Sequence, residues 1–274
     1  NTAPKGPVYI NLDAQMQESR LDKPVSPIDA KRFMPPVSSG AAHALVSRAA
    51  ELLANARRPL ILSGRASRNI VDWQRRVELA ESIDARVLTD LKVGASFPTD
   101  HPAHGGAQGL ILAGAPWTEA VSEADVILSL DWVDLAGTFK TVLGDEETRA
   151  RVIQVSLDHV LHNGWSMDHM GLPTVDVFIP AETDPAVTEM VRALEGKPVK
   201  PVSGHGPALL EPALVKGPIS VAQMAHALRL VVEGRDVSLL QVPLSWSAGN
   251  WHFRHPLDYI GSDGGEVELG IVHA

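Results

Sequence analysis

No cysteine occurs in the chain. That excludes disulfide scaffolding, a thiolate nucleophile and Cys-ligated zinc or iron–sulfur clusters. It also fits a cytoplasmic setting. Long apolar runs are missing as well: nothing approaches the ~18 residues that mark a membrane-spanning helix, so no membrane partner is expected. Residues 1–6 contain no basic segment followed by an apolar one, so no signal peptide is read there. Positive charge is in the minority, with 24 Lys and Arg against 33 Asp and Glu and a net charge of −9. The pairs Lys31-Arg32, Arg57-Arg58 and Arg75-Arg76 are short and read as solvated surface. No nucleic-acid footprint is expected from that balance. No internal repeat occurs either.

What remains is ordinary globular material. Apolar residues make up 45 % and charged residues 21 % of 274, enough to bury a sizeable core in one large or two small domains. The alternation Val8, Ile10, Leu12 predicts a strand near the start. Residues 13–39 are polar, with Pro24, Pro27, Pro35 and Pro36, and read as a linker. A lone strand before a linker has no partner, which suggests that the chain begins inside a larger protein.

From residue 40 a regular alternation sets in. Ser39 is a candidate cap for a helix over 41–56. Strands are predicted at 59–63, 86–89, 125–130, 151–155 and 175–179, and helices at 69–83, 116–123 and 183–194. A loop with Gly94, Pro98, Pro102, Gly105 and Gly106 separates the second strand from the next helix. Strands apolar on both faces, alternating with helices, imply a doubly wound parallel α/β sheet over 40–195. Residues 196–218 read as a second linker. Ser220 is then a candidate cap for a helix to 232, and a strand is predicted at 237–242. One helix and one strand cannot close a core, so 219–274 reads as the start of a further, incomplete domain.

Several stretches, in order, resemble the acetolactate synthase and benzoylformate decarboxylase group of thiamine-diphosphate-dependent enzymes. They are Gly6-Pro7-Val8-Tyr9-Ile10-Asn11-Leu12, Ala56-Arg57-Arg58-Pro59-Leu60-Ile61-Leu62-Ser63-Gly64, Leu79-Ala80-Glu81 through Arg86-Val87-Leu88-Thr89-Asp90-Leu91-Lys92-Val93-Gly94, Phe97-Pro98-Thr99-Asp100-His101-Pro102 and Ala124-Asp125-Val126-Ile127-Leu128-Ser129-Leu130-Asp131. His255-Pro256-Leu257-Asp258-Tyr259-Ile260-Gly261 with Gly264-Gly265 is similar to the approach to that family's diphosphate site. The resemblance implies a Rossmann-like central domain at 40–195. Residues 1–39 would be the end of a pyrimidine-binding domain, and 219–274 the start of a diphosphate-binding domain. It further implies thiamine diphosphate and magnesium in the full enzyme, and a lyase or transferase activity on 2-keto acids or related carbonyl compounds. Small-molecule substrates and a homodimer or homotetramer follow from the same resemblance. The family's catalytic glutamate would lie upstream and its Gly-Asp-Gly…Asn-Asn magnesium motif downstream, so no catalytic or metal-binding residue is assigned within this chain. Residues 266–274 depart from the family's glycine-rich continuation.

Ligands of open α/β sheets bind beyond the carboxyl ends of the strands. Those ends carry Gly64, Arg65, Ala66 and Ser67, then Thr89, Asp90 and Lys92, then Asp131 and Trp132. Gly64, Arg65, Thr89, Asp90, Lys92 and Asp131 are therefore the candidate cofactor-binding residues, for FAD or ADP by resemblance. Backbone N–H groups after Gly64 could face a phosphate, and the following helix start would favour an anion. Arg65 either clamps that phosphate or fills its space, and the alternative to a nucleotide site is a crevice that binds nothing.

Asp158, His159, His162, Asp168 and His169 have metal-ligand side chains but not His-Glu-x-x-His spacing, so a solvated loop is the favoured reading. His101 and His104 are placed on a surface loop, with a substrate role only in a whole enzyme. Trp246, Trp251, Phe253 and Tyr259, with His252 and His255, read as core of the incomplete last domain, exposed if that domain is missing. Ser63, Ser67 and Ser245 form no Gly-x-Ser-x-Gly elbow, which argues against a serine hydrolase. The competing function is a stand-alone module that binds FAD, NAD or ADP without catalysis.

Overall fold

Short runs that are apolar on both faces, such as Val126–Leu130, can be buried only between two layers of helix, and the structure gives them both. The computed structural model describes residues 10–21, 23–24, 26–33, 40–108, 116–158, 169, 171–196, 208–213, 217–240, 242–243 and 245–261. The chain divides into two compact units, Asn1–Ser38 and Ser39–Ala274.

In the first unit a short helix, α1 (Ala14–Glu18), is capped by Asp13, whose carboxylate accepts the N–H groups of Gln15 at 2.9 Å and Met16 at 3.2 Å. A 3-10 turn follows at Ala30–Phe33. Ile10 and Leu12 are exposed and belong to no strand, which corrects the strand expected there. The rest of that expectation, Val8 included, lies outside the described residues. An isolated strand has nothing to hold its N–H and C=O groups.

The second unit contains α2 (His43–Asn55), β1 (Pro59–Ser63), α3 (Ile70–Ile83), β2 (Arg86–Asp90), β3 (His104–Gln108), α4 (Pro116–Glu123), β4 (Val126–Leu130), α5 (Leu135–Leu143), β5 (Arg151–Val155), β6 (Val177–Ile179), α6 (Thr183–Leu194) and α7 (Val221–Val231). All five strand pairings are parallel, in the order β3-β2-β1-β4-β5-β6. This is the doubly wound order, with its switch point between β1 and β4. Ile61, Val87, Leu128 and Ile153 pack on one face with Leu53 of α2, Leu79 of α3 and Met190 of α6. Leu60, Leu62, Leu88, Ile127 and Val152 pack on the other with Trp117 and Val121 of α4 and Leu135 and Phe139 of α5.

Beyond the two short helical segments inside the 13–39 linker, β3 and α5 were not expected. β3 has the sequence His104-Gly105-Gly106-Ala107-Gln108, without a β-branched residue, yet it pairs with β2 across an irregularity between Val87 and Leu88. Gly106, at φ +138°, supplies backbone there that side-chain-bearing residues rarely adopt. α5 starts at Asp134, whose carboxylate accepts the Gly137 N–H at 2.9 Å. A Cβ on Gly137 would lie 2.2 Å from that same carboxylate, so the cap and the glycine go together. The N-cap of α2 is Ala42, with no side-chain bond, rather than Ser39, which lies outside the described residues.

A third cluster lies beside the sheet. Trp73, Leu91 and Ala95 pack against Ala225 of α7 and against Val242, Trp246, Phe253 and Tyr259. Phe253 and Tyr259 stack at 5.0 Å between ring centroids. The Tyr259 hydroxyl donates to Leu91 O at 2.6 Å, Ala95 N–H donates to Tyr259 O at 2.8 Å and Thr99 N–H donates to Phe253 O at 2.9 Å. The C-terminal aromatics are thus buried, not exposed, because the 91–99 loop and α3 supply the apolar surface that α7 lacks by itself. The strand expected over 237–242 is also corrected: among the described residues only Leu239 forms a bridge, to Tyr259, and Gln241 lies outside them.

Candidate functional site

The carboxyl edge of the sheet is set by how closely β1 and β4 leave it side by side. Gly64 N–H donates to Leu130 O at 3.0 Å, and Arg65 N–H donates to Asp131 O at 3.1 Å. A Cβ on Gly64 would meet Asp131 O at 2.3 Å and Trp132 Cα at 2.6 Å, so only glycine fits. Asp131 adopts φ +53°, a conformation that aspartate tolerates at some cost.

That backbone aims Arg65 at two carboxylates. Its Nε lies 2.9 Å from Asp131 Oδ2, its terminal nitrogen donates to Asp131 Oδ1 at 3.0 Å, and the same nitrogen pairs with Asp158. Ser156 Oγ donates to Asp131 Oδ1 at 2.6 Å. Burial works against the charge on Arg65, but Asp131 and Asp158 outweigh it and hold the guanidinium above its ordinary value.

A second anchor lies at the start of α3. Arg76 is buried; it donates to Ser96 O at 2.8 Å and Ser67 O at 3.1 Å, and pairs with Asp184 of α6. Asp184 also accepts the Ser67 N–H at 3.0 Å. Asn69 caps α3 by accepting from Val71 N–H at 2.8 Å. A carboxylate of the protein therefore lies where the helix start and the loop would otherwise attract a phosphate.

The six candidate cofactor-binding residues separate into two groups. Gly64, Arg65 and Asp131 meet at the switch point. Thr89, Asp90 and Lys92 continue the neighbouring strand and turn to other partners. Thr89 Oγ1 lies 3.1 Å from His104 Nε2. Asp90 is buried and accepts the Lys92 N–H at 2.8 Å. Burial pushes the Asp90 carboxyl up to about 6, in spite of that bond. Burial likewise pushes the His104 imidazole down to about 4, with His252 and Arg86 adding to the effect.

The structure corrects the placement of His104: it belongs to β3 and is 2 % exposed, because pairing with β2 carries it under the surface. His101 lies 3.3 Å from Glu81 and packs edge-on against Phe97. His159, His162 and Asp168 lie outside the described residues, Asp158 serves Arg65, and the His169 N–H lies 3.4 Å from Asp134. No group of three or more His, Asp or Glu suited to a metal ion occurs among the described residues. Asp158 and Ser156 were not foreseen as partners of Arg65, since nothing local in the sequence connects them to it.

The residues as placed do not fit an adenine nucleotide. Gly64, Arg65 and Ser67 N–H groups already have acceptors, and the Arg65 guanidinium is paired with Asp131 and Asp158. Nor do the described residues offer a ligand set for magnesium diphosphate. No chemical step is therefore assigned to either group on this chain.

Residues 46–164 match the family described as thiamine pyrophosphate enzyme, central domain. This segment is similar to the central domain of thiamine pyrophosphate enzymes. The chain is 34 % identical over 133 residues to a probable acetolactate synthase large subunit of Methanocaldococcus jannaschii, covering 47 % of this chain and 22 % of that one. To the protein of the same description in Methanococcus aeolicus it is 28 % identical over 163 residues, covering 57 % and 26 %. The chain thus spans about a quarter of the length of these relatives. In fold it is similar to benzoylformate decarboxylase from Polynucleobacter necessarius, with a TM-score of 0.61, 15 % identity and coverage of 87 % of this chain and 43 % of that one. No helix among the described residues is long and apolar enough to cross a membrane.

Proposed function

We propose that this central domain is the scaffold of a thiamine-diphosphate- and magnesium-dependent enzyme that decarboxylates or joins 2-keto acids, in the manner of acetolactate synthase and benzoylformate decarboxylase. The observation that supports it most is the coincidence of the family match over 46–164 with a six-stranded parallel sheet in the doubly wound order. When bound, thiamine diphosphate supplies the carbanion chemistry, and the protein positions and shields it. The role of this chain would be to hold flanking catalytic parts and copies of itself in register, in a homodimer or homotetramer.

Within that scaffold Arg65 would hold the switch-point crevice closed, with Asp131 and Asp158, rather than clamp a nucleotide. Titration with FAD and ADP would then give no saturable binding, and saturation by either would overturn this assignment. The function itself is tested on the product of the whole reading frame, after its denatured intact mass is compared with that of these 274 residues. Release of carbon dioxide from pyruvate or benzoylformate, dependent on thiamine diphosphate and magnesium, is expected. Absence of any cofactor-dependent turnover of 2-keto acids would refute it.

A further inference from the structure

The opposite, amino edge of the sheet carries a cleft of about 550 Å³, within the usual size range for small-molecule sites. Its wall comes from the first residues of β1, β2 and β3 and from the end of α4. Three arginines line it: Arg57, Arg58 and Arg86. Arg58 lies 3.7 Å from Glu123, with both side chains well exposed, so that pair is weak. Arg57 and Arg86 make no ion pair with any carboxylate among the described residues. Asp125 directs its two oxygens to the backbone N–H groups of Arg57 at 2.7 Å and Arg58 at 2.9 Å.

The position of Arg86 is built in. A Cβ on Gly105 would lie 2.3 Å from Arg86 Nε and 2.6 Å from its Cγ, so the glycine lets the arginine lie flat across β3. His104, which also lines the cleft, is buried, and its ring Nδ1 has no hydrogen-bond partner among the described residues. Leu60 and Ala124 give the cleft an apolar part. Asp84 and Glu123 also line the cleft.

We infer that this cleft binds a small organic anion, a carboxylate or phosphate monoester on an apolar body, whose oxygens are held by Arg57 and Arg86. Guanidinium groups recognise both kinds of oxyanion, and a dry wall beside them strengthens the contact. The site lies at the edge of the sheet away from the switch point.

The test is calorimetric titration of the chain with benzoate, phenyl phosphate and benzyl alcohol, the last a neutral control. At least one anion is expected to saturate the protein, and benzyl alcohol is expected to bind at least tenfold more weakly. In the double variant Arg57→Gln, Arg86→Gln, both side chains being on the surface, affinity for the anion falls tenfold or more while the unfolding temperature without ligand is unchanged. Equal binding of benzyl alcohol, no saturation by either anion, or undiminished affinity in the folded variant would overturn the inference. Should that variant fail to fold, wild-type crystals soaked in 4-bromobenzoate and 4-bromophenyl phosphate decide it. Bromine in the cleft supports the site, and bromine elsewhere or nowhere overturns it.

Discussion

Removing Arg76 should be the most costly single change in the α3–α6 interface. Its side chain is 1 % exposed and touches three acceptors: Asp184, Ser96 O and Ser67 O. Burial pulls its pKa down, so the charge is maintained chiefly by Asp184. In Arg76→Met, Ser96 O loses the donor given above and Asp184 keeps only the Ser67 N–H. Breaking a buried pair from one side costs about 3–5 kcal/mol, because the remaining charge is left without compensation. Asp184 is 15 % exposed, which places the loss near the lower end. For a unit of this size, ~3 kcal/mol lowers the unfolding temperature by roughly 6–12 °C.

The decisive assay is a double-mutant cycle with Asp184→Asn, followed by urea unfolding with two optical probes whose transitions coincide. Asp184→Asn alone should also be costly, since it strands a buried guanidinium. The two changes together should cost about 1.5–3 kcal/mol less than their sum. Additivity to within ~0.5 kcal/mol would refute the coupling and with it the role of this pair in joining α3 to α6.

Gly64→Ala should destabilise by about 1–3 kcal/mol or more, because the new methyl meets the Asp131 and Trp132 backbone rather than a movable side chain; unchanged chemical unfolding would contradict the close approach of β1 and β4. Asp90 and His104 give opposite pH slopes. The Asp90 carboxyl is raised from 3.8 to about 6, so the native state holds the extra proton and stability from this group falls as pH rises through about 4 to 6. The His104 imidazole is lowered from 6.5 to about 4, so stability from that group is present above about 6.5 and is lost as pH falls toward 4. Asp90→Asn, which can still accept the Lys92 N–H, should therefore be more stable than wild type at pH 7.5, by on the order of 2 kcal/mol, and equal to it at pH 4. Thermal unfolding of both proteins across that range is the check, and a constant difference would refute it.

The strands Pro59–Ser63, Val126–Leu130 and Arg151–Val155 were legible because a run apolar on both faces has few other uses in a soluble chain. β3 was not, since Gly105 and Gly106 contradict strand propensity and are there for reasons of space: one makes room for Arg86, the other for an irregular turn of backbone. α5 did leave a signal, with Asp134 before Leu135, Phe139, Val142 and Leu143 at helical spacing, but Gly137 obscured it. The two readings of Arg65, clamp or filler, could not be separated locally. The answer depends on Asp131 and Asp158, which stand 66 and 93 residues further along and reach Arg65 only through the fold.

These long-range pairs also decide which edge of the sheet is open to a ligand. At the carboxyl edge Arg65 is met by Asp131 and Asp158, and Arg76 by Asp184. A ligand there would have to break an ion pair before making a contact, and would gain only the difference. At the amino edge Arg57 and Arg86 face the cleft without an ion-pair partner among the described residues, so an incoming anion displaces water alone. A doubly wound sheet ordinarily keeps its ligand at the carboxyl edge, and in this chain the placement of unpaired charge reverses that expectation.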